Sequence, residues 1–147
     1  MSVRCVAITL KIPDNEAYTA LTTLQRLSVP VLRLERADIW LFDTDGGDGL
    51  LEAVQANELL FNPNKHELIE LPYAHPREGE AWIEELGQDP SLRAQLGGKM
   101  ISDVRSAKRA RGWRLFTENG VPAGHAVVKM AADVLLCNPA IERAILS

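Results

Sequence analysis

The sequence has few of the residues that usually indicate catalytic or metal chemistry. Its 147 residues include two cysteines, three histidines and 5% aromatic residues. His66, His75 and His125 are far apart, and none has a second ligand at the spacing that a common helix face requires. Cys5 and Cys137 lie in apolar segments, where burial makes a thiol unreactive. We therefore predict no catalytic residue, no metal site and no cofactor.

Long apolar runs and an excess of positive charge are also lacking. No run is long enough to span a bilayer, and residues 1–8 enter a strand-like segment without the pattern of a secretory leader. A net charge of −4 gives no general attraction for nucleic acid or anionic membranes. Two cysteines in apolar segments are typical of reduced, buried thiols. We expect a cytoplasmic protein.

One short motif is present twice. Leu-Leu-Phe-Asn-Pro at 59–63 returns as Leu-Leu-Cys-Asn-Pro at 135–139, so Asn138 repeats Asn62 after 76 positions. Further upstream, residues 41–46 match residues 115–120 at a shift of 74. Tandem copies of a small unit usually mean that one copy cannot cover its own apolar face. The repeat favours a binding or assembly module over an enzyme with one asymmetric cleft.

The hydrophobic pattern predicts alternating strands and helices. We expect strands at 4–12, 31–35 continued at 39–42, 67–71, 101–116 and 141–146. We expect one helix that is capped by Asp14 or Asn15 and ends before Pro30, further helices at 50–60, 79–86 and 126–137, and a short helical piece that starts at Pro90 and ends at the glycines 97–98. The second copy has no opening strand in this scheme, so strand 67–71 ends one unit and opens the next. The pattern predicts an α+β two-layer sandwich with a mainly antiparallel sheet. We expect one compact domain, 1–147, built from repeats at 1–71 and 67–147.

Two segments resemble a known family. Residues 101–105 (Ile-Ser-Asp-Val-Arg) and 135–142 (Leu-Leu-Cys-Asn-Pro-Ala-Ile-Glu) are similar to the small PurS subunit of formylglycinamide ribonucleotide amidotransferase, also called phosphoribosylformylglycinamidine synthase, in purine biosynthesis. PurS is a single unit of about half this length that works as an oligomer. The resemblance implies two fused PurS-like βαβαβ units, arranged like a dimer in one chain.

The resemblance also implies a function. PurS is not catalytic; it docks the glutaminase and synthetase subunits of an ATP- and glutamine-dependent ligase complex, so that ammonia passes between them. We expect these two subunits as partners, together with homo-oligomerisation. From the residues alone a second function stays open, a regulatory domain that binds a small molecule at the seam between the repeats. Residues 106–112 depart from the family because they are basic and poorly β-forming.

A basic strip is the candidate docking site. Six cations lie within sixteen residues: Lys99, Arg105, Lys108, Arg109, Arg111 and Arg114. Such a strip can dock an acidic partner, contact nucleic acid, or form a solvated face balanced by Glu78, Glu80, Glu84 and Glu85. The acidic net charge and the lack of interleaved aromatic residues weigh against nucleic acid. We predict partner docking by Arg105, Lys108, Arg109 and Arg111.

Three further patterns are structural in our interpretation. The acidic loop 43–48 does not match a calcium loop, because Val54 stands where the bidentate glutamate is required. Residues 97–99 (Gly-Gly-Lys) lack the spacing of a phosphate loop and are expected to stop a helix. Trp40 and Trp113 stand at nearly equivalent places in the two copies and are expected to pack in the core. Trp82 is expected to begin a helix.

Overall fold

In a computed structural model of the chain, residues 2–44, 49–89 and 104–147 are described. The strands are β1 (Ser2–Leu10), β2 (Arg33–Thr44), β3 (His66–Leu71), β4 (Glu80–Glu85), β5 (Val104–Phe116) and β6 (Glu142–Leu146). The helices are α1 (Asn15–Arg26), α2 (Leu50–Gln55) and α3 (His125–Ala131), with a 3-10 turn at Glu118–Gly120 and a π segment at Ala132–Leu136 after α3. The strands form one antiparallel sheet in the order β3-β1-β2-β5-β4-β6. The predicted α+β class is confirmed.

The chain divides into two compact units that interleave along the sequence. Unit 1 consists of Met1–Ile12, Asp38–Ala74 and Gly87–Arg109, and unit 2 of Pro13–Ala37, His75–Leu86 and Ala110–Ser147. Strands β2 and β5 contribute residues to both units, whereas each remaining element belongs to one unit. The repeats expected at 1–71 and 67–147 are continuous stretches of the sequence, which is a different division of the chain from these interleaved units. The two repeats stay a prediction.

Unit 1 is built around strand β1. This strand pairs with β2 on one side and with β3 on the other. Trp40 and Phe42 lie two residues apart on β2, so both rings face the same side, where they stack with centroids 5.9 Å apart. Helix α2 adds Leu50 and Val54 to this buried cluster. The apolar side chains of one face of β1 and β2 thus form the core of unit 1.

Unit 2 is built around strand β4, with β5 and β6 as its neighbours. Helix α1 begins as predicted, because the Asp14 side chain accepts a hydrogen bond from the backbone N–H of Ala17 at 3.1 Å and caps the helix. Leu24 of α1 and Val128 of α3 pack in one buried cluster with β4 and β5. Two helices therefore cover the core of unit 2.

The predicted helix at 79–86 is wrong, because Glu80–Glu85 forms strand β4. Gly79 and Gly87 bound this segment with positive φ angles of 81° and 74°. Only seven residues separate these two breaks, which leaves less than two helical turns. Trp82 therefore lies within a strand and does not begin a helix. Strand β3, expected to end the first repeat and to open the second, pairs with β1.

The remaining described elements follow the prediction with small shifts. Helix α2 ends at Gln55 instead of reaching residue 60, since Asn57 starts a turn in which its side-chain oxygen accepts a hydrogen bond from the Leu59 N–H at 3.0 Å. Residues 106–112, described above as poorly β-forming, all lie within β5. The glycine pair at 97–98 and most of the acidic loop, residues 45–48, lie outside the described residues.

Candidate functional site

The basic residues that we predicted to dock partners lie on strand β5. In unit 1, Arg105 Nη2 lies 3.2 Å from Asp43 Oδ1, and Arg109 Nη2 lies 3.2 Å from Asp38 Oδ1. Both carboxylates stand on the neighbouring strand β2. The backbone of Arg109 is held by the Gln88 side chain, which donates to its carbonyl at 2.8 Å and accepts from its N–H at 3.0 Å. An ion pair to β2 thus holds the side chain of each arginine, and Gln88 also holds the backbone of Arg109.

Arg111 and Lys108 differ in their surroundings. Arg111 Nη1, in unit 2, lies 3.7 Å from Glu16 Oε1 at the start of α1. Lys108 is exposed, and within the described part of the chain it forms no ion pair. The described arginines of the strip thus pair with carboxylates of β2 and α1. Docking by Arg105, Lys108, Arg109 and Arg111 stays a prediction, and Lys99 lies outside the described residues.

A second group of charges surrounds the ring of Phe116 in unit 2. The guanidinium carbons of Arg33 and Arg114 lie 4.8 and 5.4 Å from the ring centroid, within the range of cation–π contacts. Glu35 pairs with Arg33, and it lies 3.6 Å from Arg114. Glu35 and the ring of Phe116 thus hold two cations near the end of β5. Of the residues in this cluster, only Arg114 was identified from the sequence.

The first copy of the repeated motif forms a closed turn before β3. The Asn62 N–H donates to Nδ1 of His66 at 2.9 Å, and the Asn62 side-chain oxygen accepts from the Asn64 N–H at 2.9 Å. The Asn62 carbonyl accepts from the His66 N–H at 2.8 Å. The imidazole of His66 thus closes the turn by accepting at Nδ1. His66 therefore has a structural role.

The second copy forms the same turn before β6. The Asn138 N–H donates to Oε1 of Glu142 at 2.8 Å, and the Asn138 side-chain oxygen accepts from the Ala140 N–H at 3.1 Å. The Asn138 carbonyl accepts from the Glu142 N–H at 2.8 Å. Glu142 thus takes the place that His66 has in unit 1. The two motif copies match bond for bond, with an imidazole in one and a carboxylate in the other.

The thiols and the remaining histidines form no site. Cys5 is buried and Cys137 half-buried, and both are free. Burial raises the pKa of the Cys137 thiol, and the charges of Glu142 and Asp133 raise it further, so its reactive thiolate is suppressed. His75 and His125 are exposed. Among the residues that the structure describes, no three His, Cys, Asp or Glu side chains are grouped so that they could hold a metal ion.

All three tryptophans are buried, as predicted for Trp40 and Trp113. Trp40 lies opposite Val6 in unit 1, and Trp113 lies opposite Ala81 in unit 2, so they hold matching positions in the two strand groups. The Trp82 Nε1 donates to Glu80 Oε1 at 3.0 Å. The Trp113 Nε1 is buried and has no hydrogen-bond partner in the described structure. The indole rings serve as core residues.

The sequence analysis did not identify two exposed apolar residues, Leu86 just after β4 and Ile141 just before β6. The Leu86 N–H donates to the Ile141 carbonyl at 2.8 Å, and both side chains are exposed. In unit 1 the matching bond joins the Lys11 N–H to the Lys65 carbonyl at 2.7 Å. The sequence does carry a signal for this difference. When the two repeats are aligned position by position, two lysines of the first repeat fall at the places of two large apolar residues in the second.

No known family model matches the chain, and no curated protein shows significant sequence similarity to it. The PurS resemblance therefore stands on the residues of the motifs alone. No helix in the described part of the chain has the length and apolar character needed to cross a membrane.

Proposed function

We propose that the chain is a non-catalytic PurS-like scaffold subunit that docks the glutaminase and synthetase subunits of the purine-biosynthetic amidotransferase. The observation that supports it best is the Asn-Pro turn, built twice with the same hydrogen bonds around Asn62 and Asn138. The second of these turns lies within residues 135–142, one of the two segments on which the resemblance rests. Tandem copies of a small unit usually cover each other's apolar faces, which favours an assembly module.

The proposed mechanism is positional. Binding energy fixes the glutaminase relative to the synthetase, and ammonia then passes within the complex instead of leaving it and becoming ammonium in water. The scaffold contributes by holding two reacting centres at an effective concentration that free diffusion does not reach. It has no part in the chemical steps, so its loss lowers glutamine-dependent turnover but not turnover with added ammonia.

A reconstitution experiment tests this function. The tagged full-length chain is mixed with purified glutaminase and synthetase subunits from its own organism, at low salt with glutamine and ADP present. We expect one complex of all three proteins in size-exclusion chromatography with light scattering. If neither subunit associates, the proposal is wrong. A nucleotide or amino acid that raises the melting temperature while neither subunit binds would support the small-molecule alternative.

The basic strip is tested within the same assay by Lys108→Glu. Lys108 is the best site because its exposed side chain forms no ion pair with a described residue, so its reversal leaves the internal pairs intact. Reversing Arg109 or Arg111 would instead set an acid against Asp38 or Glu16. We expect weaker subunit binding that depends on salt. Equal affinity at low salt would exclude Lys108 from the docking surface.

A further inference from the structure

A tight turn with an asparagine at its tip follows strand β5 in unit 2. Its base is closed by a bond from the Thr117 N–H to the Val121 carbonyl at 2.8 Å. Between these two residues, the 3-10 turn at residues 118–120 is exposed throughout. Asn119 has a φ of 62° and Gly120 a φ of 71°, so both adopt the left-handed conformation that these residue types tolerate well. The base of the turn is thus fixed, whereas its tip stands in solvent.

Few contacts within the described structure hold this tip. The Val121 N–H donates to the Glu118 carbonyl at 3.3 Å, which is longer than the usual bond of this kind. The Asn119 side chain forms no hydrogen bond with a described residue. A Cβ added to Gly120 would meet no atom of the described residues within 4 Å, its chain neighbours aside. Exposed segments with few contacts open locally more readily than the whole chain unfolds. We therefore expect the tip to open while the rest of unit 2 stays folded.

Asparagine followed by glycine is a reactive pair in water. The backbone nitrogen of the glycine attacks the side-chain carbonyl carbon of the asparagine, its proton passes through water to the side-chain amide nitrogen, and that nitrogen leaves as ammonia. The product is a cyclic imide, which water opens to aspartate or to isoaspartate. Glycine favours the attack because no side chain crowds its nitrogen. With ψ of Asn119 at 25°, the Gly120 nitrogen points away from the Asn119 side chain, so the ring closes only after the tip opens.

The other asparagines of the chain lack this combination. Asn62 and Asn138 are followed by proline, which has no N–H and cannot attack in this way. The remaining three are followed by glutamate or lysine, whose side chains crowd the attacking nitrogen: Asn15, Asn57 and Asn64. Asn119 alone is followed by glycine, and the structure adds an exposed position and a side chain without a hydrogen bond to the described residues.

We propose that Asn119 is a site of spontaneous deamidation in the folded protein, through an imide formed with Gly120 when the tip of the turn opens. The reaction consumes water, releases ammonia and needs no enzyme. It replaces a neutral amide with a carboxylate, and the isoaspartate form also adds one atom to the backbone of the closed turn. The new charge stands three residues after Phe116, whose ring contacts Arg33 and Arg114. This inference does not depend on the proposed function.

The test incubates the full-length protein in mildly alkaline buffer, well below its melting temperature, and follows each asparagine by peptide mass spectrometry. Buffer made with heavy-oxygen water labels every event that occurs before digestion. We expect the labelled acid to accumulate at Asn119 and at no other asparagine, with a matching shift of the intact protein in ion exchange. Asn119→Gly is the matched control, because glycine keeps the positive φ and lacks the amide. We expect this variant to lose both the label in this peptide and the shift.

Urea below the unfolding transition tests whether the folded protein reacts. The globally unfolded population rises steeply with urea, because global unfolding exposes much surface. Opening of the three-residue tip exposes little surface, so we expect the rate at Asn119 to stay nearly constant. A rate that rises with the unfolded population would mean that only the unfolded chain reacts, and it would overturn the proposal. The proposal is also wrong if Asn119 stays intact in the folded protein while the urea-unfolded chain is modified there.

Discussion

In unit 1 the rung that follows the central strand joins Lys11 to Lys65, whereas in unit 2 the same rung joins Leu86 to Ile141. The two backbone bonds are nearly equal in length, at 2.7 and 2.8 Å. The turn before each outer strand is also the same, although His66 closes one and Glu142 the other. Backbone pairing and the Asn-Pro turn set the geometry, so the exposed side chains are free to acquire binding functions.

The two cores differ more than the turns do. The described core of unit 1 includes the stacked Trp40 and Phe42 rings beside the short helix α2. The core of unit 2 has two helices, α1 and α3, and several alanines at the contacts, among them Ala17 and Ala131. Small residues permit close approach, which makes a site sensitive to added volume. We expect the sharpest effects where unit 2 is tightest.

The largest expected effect is that of Gly79→Ala, just before β4. At its φ of +81°, an added Cβ would lie 2.8 Å from the Pro122 Cβ and 3.1 Å from the Leu115 carbonyl oxygen. We expect the free energy of unfolding to fall by roughly 2–5 kcal/mol, measured by urea denaturation. The control is Gly87→Ala after β4, where φ is +74° and an added Cβ would meet no atom of the described residues within 4 Å, its chain neighbours aside. It should lose only about 1 kcal/mol; equal losses would contradict the steric explanation.

A smaller effect distinguishes two buried tryptophans of unit 2. Trp82→Phe removes the donor to Glu80 Oε1, and we expect a loss of about 1–3 kcal/mol in the free energy of unfolding. Trp113→Phe removes a buried N–H that has no partner in the described structure. The free energy gained by no longer burying this unpaired donor offsets the loss of contact area. We expect it to change stability by less than about 1 kcal/mol. Similar values for the two variants in denaturant melts would refute this difference.

Much of the fold could be predicted from local signals. Asp14 caps α1 as expected, and the strands at β1, β3 and β6 follow their apolar patterns. Strand β4 could not be recognised, because Glu80 and Glu84 among apolar neighbours suggest a helix face. Both glutamates are buried in the sheet, where Glu84 pairs with Arg143 and Glu80 accepts from Trp82. Arg143 is distant in sequence, and Trp82 shares a face with Glu80 only because the segment is extended.

The candidate sites show the same limit. The basic strip was visible in the sequence, but the carboxylates that pair with it, such as Asp38 and Glu16, come from other elements and could not be assigned. Leu86 and Ile141 are 55 positions apart, and only the pairing of β4 with β6 brings them together. Local patterns identify elements, whereas a surface depends on the register between them.

An exchange of the two turn-closing residues sharpens the comparison of the units. His66→Glu should keep an acceptor for the Asn62 N–H, and Glu142→His should keep one for the Asn138 N–H. We expect each exchange to change the free energy of unfolding by less than about 0.5 kcal/mol. His66→Ala and Glu142→Ala leave the N–H without its acceptor and should each lose about 1 kcal/mol. A large loss in only one exchange, measured by thermal denaturation, would show that the turns are not equivalent.

The smallest expected effect is a dependence of stability on pH. It comes from the pair of Arg4 and Glu70 in unit 1, which has no counterpart at the matching positions of unit 2. Arg4 donates to Glu70 at 2.8 and 2.6 Å, which lowers the pKa of that carboxyl, whereas Gly79 and Leu146 occupy the matching places in unit 2. Because the folded-state pKa of Glu70 is lowered, the pair contributes stability at pH values above the ordinary pKa of a glutamate. This contribution is lost as the pH falls through the folded-state pKa. Because the pair is partly solvated, Arg4→Met should lose under about 1 kcal/mol near neutral pH. Urea denaturation should show this gap near pH 7 and a smaller one at about pH 3, and an equal gap at both would mean that Arg4 acts through packing and not through charge.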